Sequence, residues 1–145
     1  MATIPRTRKF LIATHGAFAK GIGSTLDIII GPMENVHLIQ AYIDENKSIE
    51  AELTSLLDNA GKEDEWVIFS DLLGGSITNQ ILQVALRENV HVVAGFNLPV
   101  LLDVLLADTN SPVEEVIEQA IINAREQLVY VNKLINQKKG EGADD

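Results

Sequence analysis

The sequence predicts an α/β protein built on a doubly wound, mostly parallel sheet of four strands in the order 2-1-3-4, with helices on both faces. Two observations carry this. Short, continuously apolar runs alternate with longer segments whose apolar residues recur every three or four positions. The runs also stop abruptly at small or polar residues, as in Lys9-Phe-Leu-Ile-Ala-Thr-His-Gly16 and Trp66-Val-Ile-Phe-Ser-Asp71. Continuous hydrophobicity marks strands buried on both faces, hence a parallel sheet. Alternating strands and helices wrap such a sheet on both sides through right-handed crossovers.

The first strand is expected over Lys9–Thr14. A helix over Ala17–Ile30 follows, with Phe18, Ile22, Leu26 and Ile29 at helical spacing and Gly31-Pro32 as its stop. The second strand, Val36–Tyr42, carries His37 and Gln40 among apolar residues and is therefore assigned to an edge. The second helix, Asn46–Asn59, has the stripe Ile49, Leu53, Leu56 and Leu57, and Gly61 suits a left-handed C-terminal cap. The third strand is Glu65–Ser70. The third helix is Ser76–Glu88, with Ile77, Ile81, Leu82, Ala85 and Leu86 apolar. The fourth strand is Val90–Gly95, and a short helix covers Pro99–Leu106. The last helix is expected over Pro112–Gln137, on the three-and-four spacing of its apolar residues from Val113 to Ile135. Within it Leu128–Val131 is locally strand-like. Residues 1–8 read as an N-terminal arm, 9–137 as one domain and 138–145 as a disordered tail rich in glycine and charge.

Composition narrows the function. A chain of 145 residues, 46% hydrophobic, can bury a substantial core. A formal net charge of −10 argues against nucleic acid and against an anionic membrane surface. The absence of cysteine removes disulfides, thiolate nucleophiles and cysteine-ligated zinc. Arg6–Lys9 followed by Phe10–Ala13 mimics a signal peptide, but four apolar residues fall short of the roughly 7–15 of an h-region. A cytoplasmic protein with no membrane insertion is expected.

In an order 2-1-3-4, strands one and three are neighbours and the winding reverses between them, which opens a ligand crevice at their carboxyl ends. His15 and Asp71 end those two strands. A carboxylate that accepts a hydrogen bond from one imidazole nitrogen leaves the other as a nucleophile. Gly74, Gly75 and Ser76 open the third helix, whose free N–H groups and partial positive charge suit a phosphate. Together these residues point to phosphoryl transfer through a phosphohistidine. Each has a plainer alternative. His15 would be a hydrogen-bonded structural histidine, Asp71 a cap, the glycines a turn, and Ser76 is an N-cap on either account. His37 and His91, inside strands, read as structural, and Trp66 as core or interface.

Sharper motifs fail. Gly16-Ala-Phe-Ala-Lys-Gly21 begins like a P-loop, but Ile22-Gly23 replaces Lys-Ser/Thr. Gly21-Ile-Gly23-Ser-Thr-Leu26 lacks the third glycine of a dinucleotide fingerprint. A receiver domain using Asp71 would need Mg²⁺-binding carboxylates where Thr14-His15 stands. A histidine phosphatase would need arginine in place of Thr14. No His/Asp/Glu spacing suggests a metal site, and no cofactor is expected.

Three stretches, Thr14-His15-Gly16, Asp71-Leu-Leu-Gly-Gly-Ser76 with Asn79, and Ala94-Gly-Phe-Asn-Leu-Pro-Val-Leu101, resemble the EIIA component of mannose-family sugar phosphotransferase systems (PTS). The resemblance covers about Lys9–Ala107. It implies that His15 accepts a phosphoryl group on Nε2 from phospho-HPr and passes it to EIIB, with membrane EIIC and EIID downstream. It implies that Asp71 orients the ring, that Gly74, Gly75 and Ser76 bind phosphate, and that Thr14, Gly16 and Asn97 edge the site. It further implies a homodimer in which a C-terminal segment, here Leu128–Val131, can add an antiparallel fifth strand to the partner's sheet. Leu72 and Ile77 depart from the family's frequent Thr and Pro, which puts the fine geometry in question. A regulatory domain that reports phosphorylation state is the alternative function. The transported sugar is not encoded in such a chain, since EIIA does not touch it.

Overall fold

The computed structural model describes residues 7–41, 49–59, 63–84, 86–87 and 89–143. Four strands, β1 (Arg8–His15), β2 (Val36–Ala41), β3 (Glu65–Ser70) and β4 (Val90–Ala94), form one sheet in the order β2-β1-β3-β4. Every pairing is parallel, as in Ile12 opposite Leu38 and Phe69, and Ser70 opposite Ala94. The helices are α1 (Phe18–Ile29), α2 (Glu50–Asn59), α3 (Ser76–Val84), α4 (Leu98–Leu105), α5 (Val113–Glu126) and α6 (Val131–Ala143).

Alternation of side chains along the central strands divides the core in two. Phe10, Ile12, Val67 and Phe69 pack with Ala19 and Leu26 of α1, Leu101 and Val104 of α4, and Ala120 and Ala124 of α5. Leu11, Ala13, Trp66 and Ile68 face the other way, against Leu53 and Leu57 of α2 and Ile77 and Ile81 of α3. This is the doubly wound arrangement. Burying one such aliphatic or aromatic side chain stabilises by about 1.5–3 kcal/mol. The two layers therefore hold β1 and β3 far more firmly than the edge strands.

Basic residues that mimic a leader peptide belong to the sheet. Arg8 opens β1 and is buried, and its guanidinium donates to the carbonyls of Asp108 and Ser111 in the α4–α5 connection. Lys9 pairs with Asp64 at 2.9 Å. The turn after α1 is built as its sequence suggests. Gly31 takes φ +83° and donates to Asp27 O, a geometry that a β-carbon would strain.

The structure corrects several boundaries. The expected starts of α2 over 46–48, its Gly61 cap, and Tyr42 of β2 lie outside the described residues. α3 ends at Val84 rather than Glu88; Leu86 is 85% exposed and belongs to no helical face. The chain turns there into β4, with Val90 N donating to Arg87 O and Arg87 paired to Asp58. Ala85 and Glu88 lie outside the described residues. The single helix expected over Pro112–Gln137 is two helices, broken at 127–130. The last buried residue of α5 is Ala124. Beyond it the apolar stripe continues largely exposed, from Leu128 at 85% to Leu134 at 42%, and the β-branched and aromatic residues of the Leu128–Val131 stretch have weak helix propensity. Lys138–Ala143, expected to be disordered, continues α6, with 138–140 exposed.

His37 sits on β2 with its ring 5.4 Å from the buried Trp66 ring. Burial first, and the nearby Lys9 charge second, push its pKa below the ordinary histidine value. A histidine neutral in the fold must gain a proton on acid unfolding, so the native state loses stability as pH falls through the unfolded value of about 6.5. His37→Gln should therefore flatten the fall in unfolding free energy between about pH 7.5 and 5.5. Urea titrations of both proteins at the two pH values check this, and equal slopes would contradict it.

Candidate functional site

β1 outruns β3 in register. Ala13 is opposite Ser70, the last residue of β3, so Asp71 leaves the sheet beside Thr14 and His15. Adjacent strands are about 4.8 Å apart, close enough for side chains at their ends to meet. Asp71 Oδ2 accepts from the His15 backbone N–H at 3.0 Å and lies 3.0 Å from His15 Nδ1, with Oδ1 at 3.2 Å. One carboxylate thus grips both the main chain and the ring of the same residue. A carboxylate partner assigns the proton to Nδ1 and the lone pair to Nε2.

The two groups differ in access. The His15 side chain is 40% exposed and that of Asp71 only 11%. Burial raises the Asp71 pKa, but the His15 backbone N–H, the ring contact and the ring's charge outweigh it, and the net shift is downward. Asp71 is therefore a held, ionised carboxylate, and the imidazole is the more exposed of the two groups.

Thr14 and Gly16 have different tasks. Thr14 is buried, and its Oγ1 accepts from Ala19 N at 2.7 Å, holding the first turn of α1 against β1. Gly16 turns the chain at φ +56°, and its N–H donates to Ala41 O at the end of β2.

The turn after Asp71 brings a helix N-terminus to the ring. Gly74 takes φ +76°, and Gly75 O accepts from Asn79 N at 3.0 Å. Gly75 therefore occupies the N-cap position, and Ser76, expected there, is the first residue of α3. A β-carbon added at Gly75 would lie 3.7 Å from His15 Cε1, so the mouth of α3 faces the imidazole across about the width of one methyl group. Asn97 serves the fold. Its Oδ1 caps α4 by accepting from Val100 N, and its Nδ2 donates to Ala124 O.

Sequence reasoning missed two contributors. Thr78, inside α3, is buried and joins the end of β3 to the turn, contacting Ser70 Oγ at 2.9 Å and donating to Leu72 O. Only its hydroxyl two residues after Ser76 could have signalled this. The second is an apolar rim. Leu72 and Leu73 are exposed, as is Phe18, which stacks on Phe96 at 5.6 Å between ring centroids. His37 and His91 lie elsewhere, His91 3.2 Å from Glu65. A cavity of about 550 Å³ between α1 and β2 includes neither His15 nor Asp71.

Comparison with known proteins gives this geometry a family. Residues 9–121 match the family model EIIA-man, described as PTS system fructose IIA component. The PTS system mannose-specific EIIAB component of Escherichia coli strain K12 is 30% identical over 128 residues, which cover 83% of this chain and 38% of that protein. The chain thus spans well under half the length of the curated relatives it matches. Among solved structures, a chain from Klebsiella pneumoniae assigned to a phosphoenolpyruvate-dependent sugar PTS permease superposes with a TM-score of 0.85 at 27% identity, covering 93% of this chain and 98% of that one. A PTS component EIIA from Streptococcus agalactiae superposes with a TM-score of 0.72 at 26% identity, covering 88% and 99%. With its order β2-β1-β3-β4 and three-quarters of its length matched, the chain belongs to the mannose-type EIIA family of the sugar phosphotransferase system.

Proposed function

We propose that this chain is a phosphocarrier, taking a phosphoryl group from phospho-HPr onto His15 Nε2 and passing it to an EIIB component, with EIIC and EIID downstream. The observation that carries this is the His15–Asp71 pair, 3.0 Å from Nδ1 to Oδ2, set against the N-terminus of α3. The lone pair of Nε2 attacks phosphorus as the donor's P–N bond breaks and its electron pair returns to the donor ring. His15 becomes a phosphorylated imidazolium whose Nδ1–H stays on Asp71. The transferring group is largely metaphosphate-like, so the protein contributes position and charge. Asp71 stabilises the cationic ring, while the backbone of Gly74, Gly75 and Ser76 at the α3 terminus faces the phosphate. Transfer to EIIB reverses these steps at His15: the acceptor's nucleophile attacks phosphorus as the Nε2–P bond breaks and its electron pair returns to the His15 ring. An exposed apolar rim of Leu72, Leu73 and Phe18 suits a protein partner better than a small molecule. Among the described residues, no helix is long and apolar enough to cross a membrane, in keeping with a cytoplasmic carrier.

The proposal extends to a homodimer of the unit 9–137. Leu128, Val129 and Tyr130 form an exposed non-helical stretch between α5 and α6, and β4 has one unpaired edge. A strand-like segment with bare apolar side chains fits an exchanged antiparallel strand on a second copy.

With phosphoenolpyruvate, Enzyme I and HPr, the protein should take up one phosphoryl group per chain, acid-labile and alkali-stable. His15→Ala should abolish uptake, while His37→Gln and His91→Gln retain it. Full labelling of the His15→Ala protein would exclude this assignment. Onward transfer from purified phosphoprotein to EIIB separates a carrier from a domain that only reports phosphorylation state.

Asp71→Asn should slow single-turnover uptake by about 10²-fold or more, because the amide loses the charge and can select the wrong tautomer. Rapid-quench labelling measures it, and an unchanged rate would leave Asp71 a simple cap. The depressed Asp71 pKa makes its stabilisation present above about pH 4 and lost as pH falls through the lower folded value. The same variant should accordingly show a shallower acid limb in its stability profile.

Removing residues 127–145 should yield a monomer or unfold the chain, whereas removing 140–145 should change neither oligomeric state nor uptake. Light scattering decides, and an intact dimer without 127–145 would contradict the strand-exchange reading.

A further inference from the structure

The turn that carries Asp71 has little to hold it by packing. Leu72 is 58% exposed and Leu73 84%, and Gly74 has no side chain. Asp71 nevertheless meets both the backbone and the ring of His15. Besides that contact, a relay of two hydroxyls ties the turn to the fold. Thr78 Oγ1 donates to the Leu72 carbonyl and lies 2.9 Å from Ser70 Oγ. A threonine hydroxyl has one proton, and it goes to Leu72 O, so Ser70 must be the donor to Thr78. Both residues are buried, Ser70 completely and Thr78 to within 3%. Ser70 is anchored in turn by its main chain, whose carbonyl accepts from Gly95 N at 2.9 Å. The three-residue stretch Ser70-Asp71-Leu72 is thus held on either side of the aspartate, from the sheet at one end and from α3 at the other.

Packing alone does not require this hydroxyl. Valine has nearly the same shape as threonine and suits an apolar helix face, whereas burying a hydroxyl costs unless its hydrogen bonds are made. Here its partners are the strand end and the carbonyl of the residue following Asp71. We propose that Thr78 is a positioning residue for phosphoryl transfer, fixing the turn so that Asp71 holds His15 in the Nδ1–H tautomer. This rests on the phosphocarrier reading. Thr78 acts through Asp71, and its hydroxyl, rather than its methyl, is what matters.

The test compares Thr78→Val, Thr78→Ser and Ser70→Ala with the wild-type protein, folding being checked by circular dichroism. Two readouts are taken: single-turnover phosphorylation by phospho-HPr, and imidazole ¹⁵N shifts of His15 in the unphosphorylated protein. Thr78→Val should lower the rate constant about tenfold, a 1.4 kcal/mol effect, with the HPr concentration for half-maximal rate unchanged. Its ¹⁵N shifts should move from the Nδ1–H form towards a tautomer mixture. Thr78→Ser should restore both readouts to within about twofold. A folded Thr78→Val protein with wild-type rate and tautomer would overturn the proposal, as would a Thr78→Ser protein equally impaired. Should Thr78→Val fail to fold, Ser70→Ala, which removes only the second link, carries the decision: a shifted tautomer supports the relay and an unshifted one overturns it. If the wild-type protein takes up no phosphate, the phosphocarrier reading fails, and the ¹⁵N shifts alone then decide whether Thr78 positions Asp71.

Discussion

Asp71 and His15 meet because two parallel strands of unequal reach lie side by side. β1 runs to His15, past the end of β3 at Ser70, so the first residue after β3 falls level with the last residues of β1. The contact is doubled, since Asp71 takes the His15 backbone N–H as well as the ring. The backbone bond helps to hold the carboxylate independently of the ring, and the ring bond then favours one tautomer. A histidine offered to solvent at a sheet edge would otherwise sample both tautomers and several rotamers. In the proposed phosphoryl transfer, the orientation for attack at phosphorus would then have to be selected anew at each encounter.

That contact depends on everything that keeps β1 and β3 central. Two separate apolar layers clamp the strand pair, one through α1, α4 and α5 and one through α2 and α3. The interior is close-packed, so the strand ends have little freedom to slide. Polar groups finish what packing cannot. Thr14 ties α1 to the end of β1, and the Ser70–Thr78 relay ties α3 to the turn after β3. Each hydroxyl is buried and each is satisfied within a few residues of the site. Buried polar groups with complete partners specify a geometry rather than merely tolerating it.

The periphery is organised on the opposite principle. Leu72 and Leu73 project from the turn, and Leu128, Tyr130 and Val131 of the C-terminal arm are exposed, with Val129, Leu134 and Ile135 about half exposed. Apolar surface of that kind is useful where another macromolecule covers it. The interior of the chain is thus rigid around one imidazole, while its contact surfaces are left for partners. Such a division suits a protein that meets a donor and an acceptor in turn at a single histidine.

The sequence by itself determined the strands, their order and the meeting of His15 and Asp71 at the ends of two neighbouring strands. Continuous apolar runs force buried parallel strands, and the switch point of such a sheet lies where those runs end. Residues whose roles depend on distant neighbours were not legible. Arg8 reads as part of a basic N-terminal cluster until Asp108 and Ser111, about a hundred positions away, supply its acceptors. Asn97 stands in a stretch that carries the family resemblance, and only the fold shows that its amide bonds Val100 and Ala124. Thr78 shows no periodic signal, because the value of a buried hydroxyl lies in partners that only folding brings near. The helical period of Val113–Ile135 is real in the sequence but changes meaning after Ala124, the last buried residue of α5, beyond which the stripe is largely exposed among the described residues. Local pattern encodes which face of a segment is apolar; only the tertiary structure decides whether anything lies there to meet it, since burial is a property of the assembled layers and not of the segment.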